Sequence, residues 1–262
     1  MSTDVTAAPA DAEGADDRTT ASGAGEPPMT QTAPPTGTRA LKLPPVLVVA
    51  IGNLKGGVGK TTSAFFLAVY FAVVHGKRVL VIDADPLSQS GYSWYRKLRK
   101  RGLKWPFDLE SFPSKHVDDF IEDKIESAQW DVIIVDTGGE SPEILKAAVR
   151  CSHELLMVGA PNDAEMERIP STFEAAAEAT AGSARAINVR VLLTKIPTVR
   201  NSTEEKKSRK DLAEADYEVL TNGAHNWQWY REAVGSTNPI DDLAEYRAIG
   251  DEVVAEYMVD AA

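Results

Sequence analysis

The chain of 262 residues contains one cysteine, Cys151, and no long uninterrupted apolar run. A single thiol cannot close an intramolecular disulfide or supply a multi-cysteine metal site, and it fits a reducing compartment. Cys151 is expected simply to pack. The most apolar stretch, residues 65–74, is too short to cross a bilayer, where about 20 residues are needed, and reads as a buried helix. Positive charge is also scarce: 28 Lys and Arg face 39 Asp and Glu, a net −11. Bulk charge therefore cannot hold this protein on a polyanion, and any such binding needs a local basic patch. No basic start precedes an apolar stretch, so no secretory signal is read. At 43% hydrophobic the chain can still bury a sizeable core, which excludes a wholly disordered or collagen-like protein.

The sequence changes texture at Pro45. Residues 1–44 are dense in Ala, Thr, Pro, Gly and Asp, with Val5, Leu41 and Leu43 as the only larger aliphatics, and carry −3 of the net charge. Such a segment cannot bury enough apolar surface to offset its ordering entropy, and disorder is expected. Residues 45–262 form the expected folded domain, with −8. Within it, β-branched runs at 46–51, 79–83, 131–136, 154–160 and 187–194 alternate with helical spacing at 60–75, 141–152 and 164–180. Strands apolar on both faces, alternating with helices, predict an α/β fold with a mostly parallel central sheet flanked by helices on both faces.

Directly after the first of these strands comes GNLKGGVGKTTS, residues 52–63. Closely spaced glycines let backbone N–H groups turn inward around an anion, and the start of a helix adds partial positive charge there. Gly56, Gly57, Val58, Gly59, Lys60, Thr61 and Thr62 are the expected phosphate-binding residues of a P-loop. Lys60 would reach the β- and γ-phosphates, and the Thr61 hydroxyl would ligate Mg²⁺. The usual pattern requires glycine at position 54. Leu54 stands there instead, and an additional lysine, Lys55, precedes Gly56 and Gly57.

With that lysine, KGGVGKTT resembles the deviant Walker A loop of the ParA/MinD superfamily of ATPases. The resemblance spans roughly residues 45–260 and is strongest in the first hundred of them. It implies a P-loop ATPase fold, ATP and Mg²⁺ as cofactors, and a nucleotide-sandwich homodimer in which Lys55 reaches the partner's phosphates. VLVIDADPLSQS (79–90) resembles the family's Walker A′ segment, which implies that Asp85 orients the attacking water while Asp83 supports the Mg²⁺ and Lys55 environment. WDVIIVDTGG (130–139) resembles its Walker B strand, with Asp136 holding Mg²⁺ through water. Carboxylates at strand C-termini fit the crevice where α/β folds bind ligands. Two positions depart from the pattern: Leu87 replaces a usual glutamine, and Gly138-Gly139 replaces a usual Pro-Pro, which should make that loop more mobile. VLLTK (191–195), WYREAVG (229–235) and EYRAIGDEV (245–253) resemble later family segments with lower specificity.

Within the superfamily, one cysteine does not supply the ligand pair of an iron–sulfur relative. The acidic ending DEVVAEYMVDAA lacks the basic amphipathic helix of a MinD-like membrane cycler, so no stable membrane association is expected. What remains is a ParA-type DNA-segregation ATPase, in a short form without an N-terminal helix-turn-helix domain, or a ParA-like positioner of another cargo. By resemblance it would bind non-specific DNA when ATP-dimerised, be stimulated by a centromere-binding ParB-like partner, and reside on the nucleoid in the cytoplasm. Two basic runs could serve: Arg96, Lys97, Arg99, Lys100, Arg101 and Lys104, free of acids, and Arg200, Lys206, Lys207, Arg209 and Lys210, interrupted by Glu204 and Glu205. The family's usage favours the second. Solvated helix faces are the bland alternative for both. The rival classes are a P-loop metabolic ligase or synthetase, a membrane-cycling positioner and a non-hydrolysing ATP-switched adaptor. Trp227 and Trp229 are expected in the core or a dimer interface.

Overall fold

A computed structural model describes residues 39–182, 186–199 and 202–260. Its strands are β1 (Arg39–Leu41), β2 (Leu47–Gly52), β3 (Val79–Ala84), β4 (Asp108–Ser111), β5 (Val132–Thr137), β6 (Glu154–Gly159), β7 (Asn188–Leu193), β8 (Glu218–Val219) and β9 (Met258–Asp260). The helices are α1 (Lys60–Val69), α2 (Ser90–Lys100), α3 (Val117–Glu126), α4 (Pro142–Cys151), α5 (Asp163–Met166), α6 (Ile169–Thr180), α7 (Thr203–Glu214), α8 (Gln228–Ala233) and α9 (Glu245–Val253). Seven strands form one parallel sheet in the order β4-β3-β5-β2-β6-β7-β8. Chain order reverses on either side of β2, so the carboxyl ends of β2, β3 and β5 open onto the crevice such folds use for ligands.

Strand alternation divides the core. Leu47, Val49, Ile51, Val81 and Ile134 face α1, α2 and α9, whereas Val48, Ala50, Ile82, Ile133 and Val135 face α3, α4 and α6. Burial on both faces explains why these strands read as continuous apolar runs. On the first face Phe65 stacks on Trp94 at 4.3 Å between centroids, and Trp227 and Trp229 pack against the same core. Cys151 is buried on the opposite face.

The five expected strands are present, with three departures elsewhere. The segment expected as one helix over 164–180 is two, α5 and α6, because Pro170 in the first turn of α6 has no N–H to continue a preceding helix. The helix expected over 60–75 is α-helical to Val69 and then makes a π-helical turn over Tyr70–Val74. The expected disordered tail is corrected at its end. Residues 1–38 lie outside the described residues, but Arg39–Leu41 pairs antiparallel with Met258–Asp260. Leu41 and Leu43 pack against the main core, so backbone pairing and two leucines hold this stretch to the body.

Candidate functional site

The P-loop joins β2 to α1. Gly57 and Gly59 have φ of 77° and 96°, left-handed values that turn successive N–H groups to one side. Gly59 caps α1, so the first N–H groups of that helix open into the same space. Beneath the loop, Val58 is fully buried, and its carbonyl accepts the Thr194 hydroxyl at 2.6 Å. The Lys195 ammonium donates to the Gly57 carbonyl. These two residues at the exit of β7 brace the loop from below, a role that the low-specificity VLLTK match did not reveal. A polar pair directly after a buried strand on the carboxyl side of the sheet was the available signal.

A cleft of about 540 Å³ lies against this loop. Gly56, Gly57, Gly59, Lys60, Thr61 and Thr62 form one end, Asp85, Leu87 and Ser88 the rim, and His225, Asn226, Tyr230, Arg231 and Tyr246 the far end. Tyr230, Arg231 and Tyr246 lie in the two low-specificity segments 229–235 and 245–253, whereas His225 and Asn226 carried no sequence signal. They arrive because Ile196 bridges in parallel to His225 and Asn226 N–H donates to the Ile196 carbonyl.

The two lysines of the loop part company. Lys60 lies in the cleft, nearly buried, with its ammonium on the Lys55 carbonyl at 2.6 Å. Burial lowers its pKa, opposed by the charges of Asp136, Asp85 and Glu165. Lys55 points out of the cleft into a neighbouring cavity and donates to the Ala164 carbonyl at 3.2 Å.

The three aspartates differ as sharply. Asp83 accepts Tyr92 N–H at 2.7 Å and Asp85 N–H at 3.2 Å, which makes it the organiser of the loop entering α2. It makes no ion pair with Lys55. Asp85 accepts Leu87 N–H at 2.8 Å and the Ser88 hydroxyl at 2.7 Å. Burial raises its pKa, but these hydrogen bonds and Lys60 outweigh it and hold the carboxylate below its usual range. Asp136 is buried, and its Oδ2 has no hydrogen-bond partner. Burial, then the Asp83 charge, pushes its carboxyl up to about 7 against the Thr61 hydroxyl and Lys60.

An unpartnered buried carboxylate oxygen beside a threonine hydroxyl and an ammonium is an arrangement that a bound cation would complete. No cluster of three His, Cys, Asp or Glu side chains suited to a metal occurs among the described residues. Mg²⁺ takes one or two protein ligands and fills its remaining positions with water and phosphate, and the Asp136 carboxylate beside the Thr61 hydroxyl suits that donor set. The residues present therefore fit a phosphate-bound Mg²⁺ and do not fit an all-protein metal cage.

The pattern of the CobQ/CobB/MinD/ParA nucleotide binding domain matches residues 49–223. The chain belongs to this family. Its members are nucleotide-binding domains, and the P-loop, cleft and parallel sheet are the family's parts as this chain carries them. The chain is 31% identical over 168 residues to "Maintenance of carboxysome distribution protein A" of Gloeobacter kilaueensis, covering 64% of this chain and 71% of the relative. It is 60% identical over 38 residues to "Chromosome-partitioning ATPase Soj" of Thermus thermophilus, only 14% of this chain and 15% of that protein. In fold it is similar to cobyrinic acid a,c-diamide synthase from Mycobacterium smegmatis, solved with ADP and magnesium. The TM-score is 0.60 at 16% identity, over 81% of this chain and 95% of that one. ParA-type partition and positioning ATPases are thus its relatives in sequence, and the synthase shares the fold alone.

The two basic runs have unlike surroundings. On α2, Arg96, Lys97, Arg99 and Lys100 are exposed, as are Arg101 and Lys104 beyond its end, and none is ion-paired to an acid among the described residues. Lys97 and Arg101 donate instead to the carbonyls of Gly235 and Thr237. Arg96 and Arg99 lie over the rings of Tyr92 and Tyr95. On α7, Lys206 is exposed and in no ion pair among the described residues, while its neighbours are paired. Arg209 bonds Glu205 and the carbonyls of Leu220 and Thr221, Lys207 pairs with Asp163 at 2.7 Å, and Lys210 pairs with Glu214 at 3.5 Å. Arg200 lies outside the described residues. The first run thus stands free of ion pairs among the described residues, whereas Lys207, Arg209 and Lys210 of the second are ion-paired and Lys206 is not.

Proposed function

We propose that this chain is a Mg²⁺-dependent ATPase that dimerises around two ATP molecules. In that state it binds DNA without sequence preference and partitions or positions a replicon with a centromere-binding partner. The observation that carries the reading is the separation of the two P-loop lysines. Lys60 lies in the cleft of its own chain, whereas Lys55 is directed away from it, as a lysine meant for a partner's nucleotide would be.

In this reading the N–H groups of residues 56–61 hold the β- and γ-phosphates, and Lys60 leaves the Lys55 carbonyl to neutralise their charge. Thr61 and Asp136 would hold Mg²⁺, directly and through water, where the ion would draw charge from the leaving phosphate oxygens. Asp85, kept ionised, accepts hydrogen bonds at the cleft rim and would pass from the Ser88 hydroxyl to the attacking water. Lys55 of each chain would complete the other chain's site, which ties turnover to dimerisation. The unpaired cations of α2 would meet phosphates of DNA, in a protein whose net charge otherwise opposes it.

A second reading, positioning of a non-DNA cargo, rests on the likeness to the carboxysome distribution protein. A ligase or synthetase rests on shared fold alone. Among the described residues no helix is long and apolar enough to cross a membrane. The deciding experiment is sedimentation with random-sequence DNA in Mg-ATP, Mg-ADP or no nucleotide. Retention in ATP alone is expected; binding that ignores nucleotide, or is absent, would overturn the proposal.

A further inference from the structure

The wall of the cleft opposite the P-loop is held in two unequal parts. Helix α8 is anchored by its side chains: Tyr230 is buried edge-on to the Phe66 ring at 5.3 Å, and its hydroxyl donates to Glu245 at 3.3 Å. Trp229 and Ala233 pack against the same core. The strap that follows, residues 234–239, has no buried side chain, although Val234 still lines the cleft. Its own hydrogen bonds are local. Val234 N–H donates to the Tyr230 carbonyl, Ser236 N–H to the Ala233 carbonyl and Asn238 N–H to the Ser236 hydroxyl. A segment without buried side chains draws little hold from the core.

The hold comes from α2. Gly235 has φ of 71°, and its carbonyl accepts the Lys97 ammonium at 3.0 Å. Arg101, just past the end of α2, donates through Nη1 to the Thr237 carbonyl at 2.9 Å and the Thr237 hydroxyl at 2.8 Å. Spaced by four, the two cations lie on one side of the helix. Among the described residues these are the hydrogen bonds that join residues 235–239 to another element. Ser90, the first residue of α2, lines the cleft beside Asp85 and Ser88, so one helix touches the cleft at its start and holds the strap at its end. The basic run is thereby divided. Arg96 and Arg99 lie over tyrosine rings, whereas Lys97 and Arg101 are committed to backbone across the fold. We infer that Lys97 and Arg101 are positioning residues for the nucleotide cleft, fixing the strap so that Val234 and α8 wall the end remote from the phosphate loop. A strap without them loosens that wall, and bound nucleotide escapes faster. The effect on nucleotide rests on the cleft being the nucleotide site; the hold on the strap does not.

The experiment is stopped-flow displacement of N-methylanthraniloyl-ADP, with Mg²⁺, from the full chain. Lys97→Gln and Arg101→Gln should each speed dissociation about three- to tenfold, the effect of a lost hydrogen bond. Lys97→Arg, which keeps a donor, should stay within about twofold of wild type, well under the effect of a lost hydrogen bond. Lys115→Gln, which removes the same charge from the exposed turn before α3, should do so too. Dissociation as slow as wild type in both glutamine variants, or equally fast in Lys115→Gln, would overturn the inference. Thr237→Val removes one acceptor without touching α2. Combined with Arg101→Gln it should add little, because both belong to one contact; effects that multiply would overturn the pairing. Hydrogen exchange at Val234 and Ser236, measured without nucleotide, should accelerate in both glutamine variants, and unchanged exchange would overturn the hold on the strap itself. A wild-type chain that fails to retain the fluorescent ADP would count against the nucleotide reading, and the exchange result then decides the hold.

Discussion

Asp83 and Asp136 stand opposite each other in register on neighbouring parallel strands, both buried, and only Asp136 keeps a carboxylate oxygen without a partner. Asp83 spends its oxygens on the N–H groups of Tyr92 and Asp85. Two identical side chains at equivalent positions are thus assigned different work by their surroundings, one holding a loop and the other available to a cation.

The pair separates by mutation. Asp83→Asn should lower stability by about 1–3 kcal/mol through weakened charge-assisted hydrogen bonds. Asp136→Asn should leave metal-free stability equal to or above wild type, because an unpaired buried charge disappears. It should nevertheless reduce ATP turnover by about 100-fold or more, as loss of a cation-holding carboxylate does. Urea unfolding in EDTA and steady-state phosphate release measure the two effects. Equal destabilisation by both variants would refute the division.

The lysines should separate in the same way. Lys60→Ala is expected to weaken nucleotide binding by about tenfold or more, since a charge-assisted hydrogen bond to phosphate is removed. Lys55→Ala should leave binding by the single chain within about threefold, less than one neutral hydrogen bond commonly costs, and remove ATP-dependent dimerisation. Titration with a fluorescent nucleotide and light scattering in Mg-ATP provide the readouts.

For DNA, Arg96→Glu with Lys100→Glu should weaken binding far more than Lys207→Glu with Lys210→Glu, because the α7 charges are already paired. Removing one phosphate-binding cation from α2 should reduce the slope of log affinity against log salt by about 1. A larger effect from α7 would restore the preference drawn from family usage.

His225 provides a pH test at the far end of the cleft. Its ring bonds Glu245 at 2.6 Å, and this hydrogen bond raises its pKa above the usual histidine value against the opposing effect of burial. A folded-state pKa above the unfolded one contributes stability that is complete below the unfolded value and is lost as pH rises through the folded one. Glu245→Gln should therefore cost most stability in mildly acidic buffer and less in alkaline buffer. Thermal melts across that range test this, and a penalty that grows with pH would contradict it.

Much of this was legible in the chain because it is local. Apolar runs that alternate β-branched residues are strands buried on both faces, and the P-loop carries its glycines, lysines and threonine within one turn and one helix start. Asp85 and Asp136 were legible because strand ends and crevice coincide in parallel α/β sheets. The helix break at Arg168 was obscured because the apolar spacing runs on past it, although Pro170 marks the new start. The β1–β9 pair was not legible, since it joins opposite ends of the described chain and neither strand has an apolar pattern of its own.

By itself the sequence determined which chemistry the chain can hold: a phosphate-binding loop, a carboxylate at each of two strand ends and an additional lysine, each encoded in contiguous residues. Tertiary structure alone decided how those groups are used. It turned Lys60 inward and Lys55 outward, spent Asp83 on backbone while leaving Asp136 an open oxygen, and paired Lys207, Arg209 and Lys210 of α7 with acids while leaving the cations of α2 without acidic partners among the described residues. The physical reason is that charge, burial and hydrogen-bond satisfaction depend on neighbours from distant segments, which no local pattern specifies.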